Sequence, residues 1–70
     1  MQRTPVVSDN LASVGYDEVQ GTLEIEFRNT RIYEYFRVPE QVYRDLMVAS
    51  SKGTYFAEHV RDVYRFRRVR

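Results

Sequence analysis

The sequence predicts an α+β domain: a three-stranded antiparallel β-meander followed by two α-helices packed on one sheet face, in the order βββαα. Two patterns carry this reading. Residues 22–38 show β-type alternation on both sides of a short polar turn. Residues 39–64 show apolar positions at three- and four-residue spacing behind helix-start signals. All strands precede both helices, as in a fold that segregates its helices to one side of a sheet.

Residues 1–8 are polar, carry Pro5 and read as a flexible lead-in. Residues 11–16 form a short strand with imperfect alternation. Residues 17–21 turn the chain, with Gly21 as the positive-φ residue. In residues 22–28, Leu23, Ile25 and Phe27 point one way and Thr22, Glu24, Glu26 and Arg28 the other. Strict alternation makes a strand with one buried and one wet face. Arg28 to Arg31 reverse the chain into a partner strand over residues 31–38, rich in β-formers.

The register of this hairpin decides where Tyr33 and Tyr35 go. An even-numbered loop would bury Glu34 beside Ile25 with no partner, which is costly. A two-residue type I′ turn would also require positive φ at Thr30, which β-branching resists. An odd-numbered loop puts Tyr33 and Tyr35 on the core face and Glu34 among the outward Glu24 and Glu26, and is the reading favoured here. It leaves Ile32 and Phe36 on the outer face. The even register would instead expose both tyrosines.

Pro39 suits a first helical position. The first helix runs to Ala49, with Val42, Leu46 and Ala49 on one face and Tyr43 and Met47 beside them. Gly53 is placed for a left-handed C-cap, and Thr54 for capping a second helix from Tyr55 to about Tyr64. Its buried stripe is Phe56, Val60 and Val63. The expected core is Leu23, Ile25, Phe27, Val42, Leu46, Phe56 and Val60. One domain spans residues 9–66, with a basic tail at 67–70.

Seventy residues bury only about 60% of the unfolded surface. Ten aromatic rings, six Tyr and four Phe, must therefore supply much of the core. With no cysteine, disulfides, thiolate metal sites and a cysteine nucleophile are excluded; the single histidine, His59, excludes a multi-histidine metal site. No phosphate-cradling glycine loop is present, and no cofactor is implied. The apolar runs are far shorter than a membrane span, and the chain reads as soluble and cytoplasmic.

The charge is polarised. Residues 61–70 hold Arg61, Arg65, Arg67, Arg68 and Arg70 against Asp62 alone, for +4, whereas residues 1–60 hold six basic and nine acidic groups, for −3. Arginine grips phosphate oxygens with a planar fork and stacks on bases. Interleaved with Tyr64 and Phe66, this end points to an anionic partner, RNA first. A solvated basic end is the plain alternative.

Ser13 to Asp17, Leu23 to Phe27, Tyr33-Glu34-Tyr35 followed by Val38-Pro39, and Ala49 to Phe56 together resemble the KTSC domain. That family is named for a module at the C-terminus of some lysyl-tRNA synthetases and also occurs as small stand-alone bacterial and phage proteins. Its hallmark is a central Tyr-x-Tyr, matched by Tyr33 and Tyr35. The resemblance covers about residues 8–64. It implies no catalytic residues, and RNA binding has been proposed for the family from the synthetase context. Relatives often carry glycines in the turn after Phe27, where this chain has Thr30 and Arg31.

The expected function is a small non-enzymatic binding module. The candidate nucleic-acid contacts are Arg44, Lys52, Arg61, Arg65, Arg67 and Arg68. Arg61 and Arg65 are four apart and so share a face of the second helix. Tyr33 and Tyr35 are candidates for base stacking, against filling the core. The Ser51 to Thr54 turn is weighed as a phosphate site against a plain helix cap. His59 and the Glu24–Glu26 pair read as solvated or structural rather than catalytic. The alternative function is docking on a larger protein through exposed aromatics.

Overall fold

The alternating stretch becomes β3, Thr22–Phe27, the middle of an antiparallel sheet ordered β1-β2-β3-β4-β5. The computed structural model describes all of residues 1–70. The other strands are β1 (Thr4–Pro5), β2 (Leu11–Asp17), β4 (Ile32–Tyr35) and β5 (Phe66–Arg68). Helices α1 (Glu40–Val48) and α2 (Lys52–His59) lie between β4 and β5 in the chain. The fold is α+β with an antiparallel sheet and two helices, but it has five strands where three were expected. Both extra strands are terminal and short. The expected lead-in supplies β1, and the end of the chain supplies β5. A proline or a run of arginines is tolerated at a sheet edge, where one side of the strand needs no partner.

Leu23 faces Tyr35 and Ile25 faces Tyr33 across the central hairpin, so the odd register holds. The loop is Arg28-Asn29-Thr30, closed by the Phe27 N–H on the Arg31 carbonyl at 2.9 Å. Thr30 nevertheless adopts φ +73°, the conformation its β-branching was expected to resist. A three-residue hairpin commonly ends in one left-handed residue, and here no glycine is present to take it.

The imperfect alternation of residues 11–16 has a cause. Leu11 pairs with Phe27 but Ser13 pairs with Glu26, so Ala12 is an inserted residue. The bulge resets parity, and both Leu11 and Val14 are fully buried.

The helices end differently from the reading of the sequence. Pro39 is the N-cap of α1 rather than its first helical residue, and α1 stops at an extended Ala49. Gly53 does not cap α1; it lies in the first turn of α2, where an added Cβ would meet Asn10 Nδ2 at 3.0 Å. Ser51, not Thr54, caps α2, its Oγ accepting the Thr54 N–H. Val60 leaves helical geometry, Asp62 takes φ +64°, and the Val60 carbonyl accepts from the Val63 and Tyr64 N–H groups. The chain thus turns back to make β5. Val63, expected in the buried stripe, is exposed.

The core lies between the sheet and the helices: Leu11, Val14, Leu23, Ile25, Tyr35, Val38, Leu46, Phe56 and Val60, with Phe27 and Val42 packed against it. Tyr16 and Tyr43 stack with centroids 5.0 Å apart, and the Tyr16 hydroxyl donates to the Val38 carbonyl. These contacts seat α1 on the sheet.

The opposite sheet face is a layer of ion pairs. Glu24 and Glu34 are directly opposed, an unfavourable like-charge pair if left alone. Arg3 pairs with Glu24, Arg67 with Glu34 at 2.8 Å, and Arg70 with Glu26 at 3.0 Å. Ser13 Oγ bridges, accepting from Arg3 and donating to Glu26. Both termini thus supply the arginines that neutralise the outward glutamates. Arg70 also donates to the Thr30 carbonyl, closing the corner where Ile32 is buried on this face.

Candidate nucleic-acid interface

Four of the eleven basic residues are held in ion pairs: Arg3, Arg44, Arg67 and Arg70. The arginine-rich end is therefore less available than its composition suggests. Arg67 is on the ion-paired face, and Arg44 is tied to Glu40 one turn earlier on α1. Arg68 sits opposite Tyr33 in the register, on the other side of the sheet from Arg67. Arg61 and Arg65 share no helix face, because α2 ends at His59. Arg65 lies beside Phe36, Arg37 and Tyr64 at a separate corner. The six candidate cations do not form one patch.

A different set does converge. A groove runs along α2 from its N-terminus to the open side of the β4–β5 edge. At one end Lys52, Ser51, Gly53 and Ala57 face Ser8, Asn10 and Arg28. The middle is lined by Arg28, Phe27, Ala57, Phe56 and Arg61. The far end is a cleft of about 380 Å³ walled by Phe27, Tyr33, Tyr35, Phe56 and Phe66, with Asn29, Arg31, Arg61 and Asp62 at its rim. Neighbouring segments share lining residues, Arg28 and Ala57 between the first two and Phe56 and Arg61 between the last two, so the three lie in a row. Lys52 and Arg61 were candidates in the sequence; Arg28 and Arg31 were not. Their signal was their place at the tip of a hairpin, where loops carry binding groups on a rigid scaffold.

The cations of this groove have no carboxylate partner. Lys52 Nζ donates to the Ala49 carbonyl and Arg28 Nε to the Ser8 carbonyl, while Arg31 and Arg61 make no side-chain hydrogen bond. Asp9, Glu58 and Asp62 are the acidic groups along it.

The two tyrosines divide. Tyr35 is 4% exposed and meets Phe56 edge-on at 5.5 Å, so it fills the core. Burial, with Tyr33 adding and the Arg61 charge opposing, pushes its hydroxyl up to about 12. Tyr33 is half-buried, with Phe27 edge-on at 5.7 Å and Phe66 tilted against it at 5.6 Å. Phe66 itself is 56% exposed. The accessible aromatic surface is thus Tyr33 with Phe66, and Phe66 was not a candidate. Its partner is set by β5 pairing, which the sequence did not show.

The other weighed groups have structural places. His59 lies against Tyr55 with ring centroids 4.4 Å apart. Glu24 and Glu26 belong to the ion-pair layer. The turn before α2 is closed by the Ser51 cap and Lys52, and forms one end of the groove.

A five-stranded antiparallel sheet backed by two helices, with the Tyr-x-Tyr pair on its inner face, defines a small α+β domain. The sequence profile of the KTSC domain matches residues 7–64, and the chain belongs to that family. It is 41% identical over 56 residues to an uncharacterised protein of Stutzerimonas stutzeri, covering 80% of this chain and 79% of that one. It is 39% identical over 54 residues to a lysine–tRNA ligase of Nostoc punctiforme, covering 77% of this chain but 10% of the ligase. The crystal structure of a KTSC domain protein from Yersinia pestis superposes with a TM-score of 0.96 at 38% identity, over 99% of this chain and 97% of that one. No helix is long and apolar enough to cross a membrane.

Proposed function

We propose that this chain is a non-enzymatic module that binds single-stranded nucleic acid, RNA first, along the groove beside α2. One observation carries the reading: Lys52, Arg28, Arg61 and Arg31 line a row of adjoining pockets beside α2, none held by a carboxylate, and the row ends on aromatic rings. Spaced cations track a phosphate backbone, and aromatic rings take unstacked bases whatever their sequence. The like stretch in lysine–tRNA ligases, whose name gives them an RNA substrate, supports RNA over DNA.

Docking on a protein partner is the competing reading, favoured by the exposed Val63 and Phe66. Titrating a fluorescent single-stranded RNA at several salt concentrations separates the two. Phosphate contact makes log affinity fall linearly with log salt, by about 0.7 per contacted phosphate. Absence of binding at low salt overturns the nucleic-acid reading.

A further inference from the structure

The cleft at the end of the groove is more than an apolar platform. Its floor is Tyr35 and Phe56, both buried, and its open wall is Phe66, more than half exposed. Its rim holds one acceptor, the Asp62 carboxylate, among donors from Arg31 and Arg61. None of these three side chains has a hydrogen-bond or ion-pair partner within the protein. Asn29 spends its carbonyl oxygen on the Arg31 N–H, which leaves its amide hydrogens free as further donors.

Asp62 reaches this rim from the turn between α2 and β5, where its backbone is left-handed at φ +64°. Asp and Asn tolerate that conformation better than most residues, at some remaining strain.

Among nucleobases one matches this rim. Guanine presents two adjacent donors, N1–H and N2–H₂, which a carboxylate accepts side by side. Its adjoining edge presents O6 and N7, the acceptors that arginine contacts in pairs. Adenine, cytosine and uracil cannot donate twice in parallel to one carboxylate. We propose that the cleft holds a single unstacked guanine of a bound strand. The ring stacks on Phe66, its N1–N2 edge meets Asp62, and its O6–N7 edge faces Arg31 and Arg61. This rests on the nucleic-acid reading above and adds a base preference to it.

The test uses the whole chain and a series of labelled oligouridines, each with one central U replaced by G, A or C. The G strand should bind at least about tenfold tighter than the other three, the order of discrimination a paired base contact gives. Asp62→Asn suits the same backbone and should fold normally. It should abolish the G preference, read as the ratio of G-strand to all-U affinity at one salt concentration, because the lost negative charge strengthens binding of every strand alike. Phe66→Ala should weaken every strand. GMP, which lacks the neighbouring phosphates, should compete only at far higher concentration. Equal affinity for all four strands overturns the guanine pocket and leaves the groove reading standing. GMP competing as well as the G strand overturns the assignment to a strand. No binding to any strand at low salt overturns both readings.

Discussion

Tyr35 stands directly opposite Leu23 across the central hairpin and meets Phe56 from the helix layer edge-on at 5.5 Å. It is therefore one of the rings that join sheet to helices, with Phe27 on the same Phe56 and Tyr16 on Tyr43. Tyr35→Ala should destabilise the fold by about 3 kcal/mol, as other large aromatic truncations do. A melting temperature within a degree or two of wild type would contradict this packing.

The same burial gives a pH signature. The Tyr35 hydroxyl titrates near 12 in the folded chain against 10.0 in the ordinary state. Its folded value is raised, so the contribution is complete below pH 10 and is lost as pH rises toward 12. Two units correspond to about 2 to 3 kcal/mol as an order of magnitude. Denaturant melts at pH 9 and pH 12 should show a steep loss of stability in wild type. Tyr35→Phe should flatten that part of the profile, and an unaltered profile would show that the hydroxyl is not the titrating group.

Gly15 makes room for the N-terminal segment. An added Cβ there would lie 2.5 Å from the Gln2 carbonyl oxygen and 3.1 Å from the Arg3 side chain. Gly15→Ala should push this segment off the outer face and separate Arg3 from the largely buried Glu24. An unsatisfied buried polar group costs about 1 to 3 kcal/mol, and a charged one more. Hydrogen exchange reports it directly: the Val6 amide, bonded to the Ala12 carbonyl, should lose protection in the variant. Retained protection would place β1 independently of Gly15.

Thr30 carries a positive φ in a β-branched residue, which is strained. Thr30→Gly should relieve it, offset in part by the larger entropy of the unfolded chain. A net gain of up to about 1 kcal/mol, or a few degrees in Tm, is expected. A Tm lowered by several degrees would mean that the Thr30 side chain contributes contacts which outweigh the strain.

The central hairpin, its register and the helix layer were legible in the sequence because alternation and the burial of Glu34 constrain them tightly. The cost of setting Glu34 against Ile25 favoured the odd register and so the inward tyrosines; the second argument, that Thr30 resists positive φ, failed, since Thr30 takes φ +73° in the odd loop. The two terminal strands were not legible. Thr4–Pro5 and Phe66–Arg68 carry no alternation; they form because β2 and β4 offer open edges and because Arg3, Arg67 and Arg70 answer glutamates far away in sequence. The end of α2 was missed for a related reason. The Arg61-Asp62-Val63 stretch continues a helical pattern, but β5 pairing requires the chain to turn there. That turn put Arg61 in the aromatic cleft and Arg65 outside it, which no helical spacing could show. Arg28 and Arg31 were passed over because they lie in a hairpin loop, away from the basic end that drew attention.

The ion-pair layer makes the groove cations separable by mutation from the arginines that neutralise glutamates. Replacing Lys52, Arg28, Arg31 and Arg61 with Gln removes the groove cations, none of which neutralises a carboxylate, so the fold should survive with a small loss of stability from the Lys52–Ala49 and Arg28–Ser8 hydrogen bonds. RNA affinity should fall, and the slope of log affinity against log salt should flatten by about three units if all four touch phosphate. Replacing Arg67 and Arg70 with Gln removes only two charges but leaves Glu34 and Glu26 without their arginine partners, Glu26 keeping only the Ser13 hydroxyl. That variant should lose thermal stability and keep most of its salt slope. Thermal melts and salt titrations on both variants decide the matter. If the outer-face pair flattens the slope as much as the groove set does, the strand lies on the face opposite the helices and the groove assignment fails.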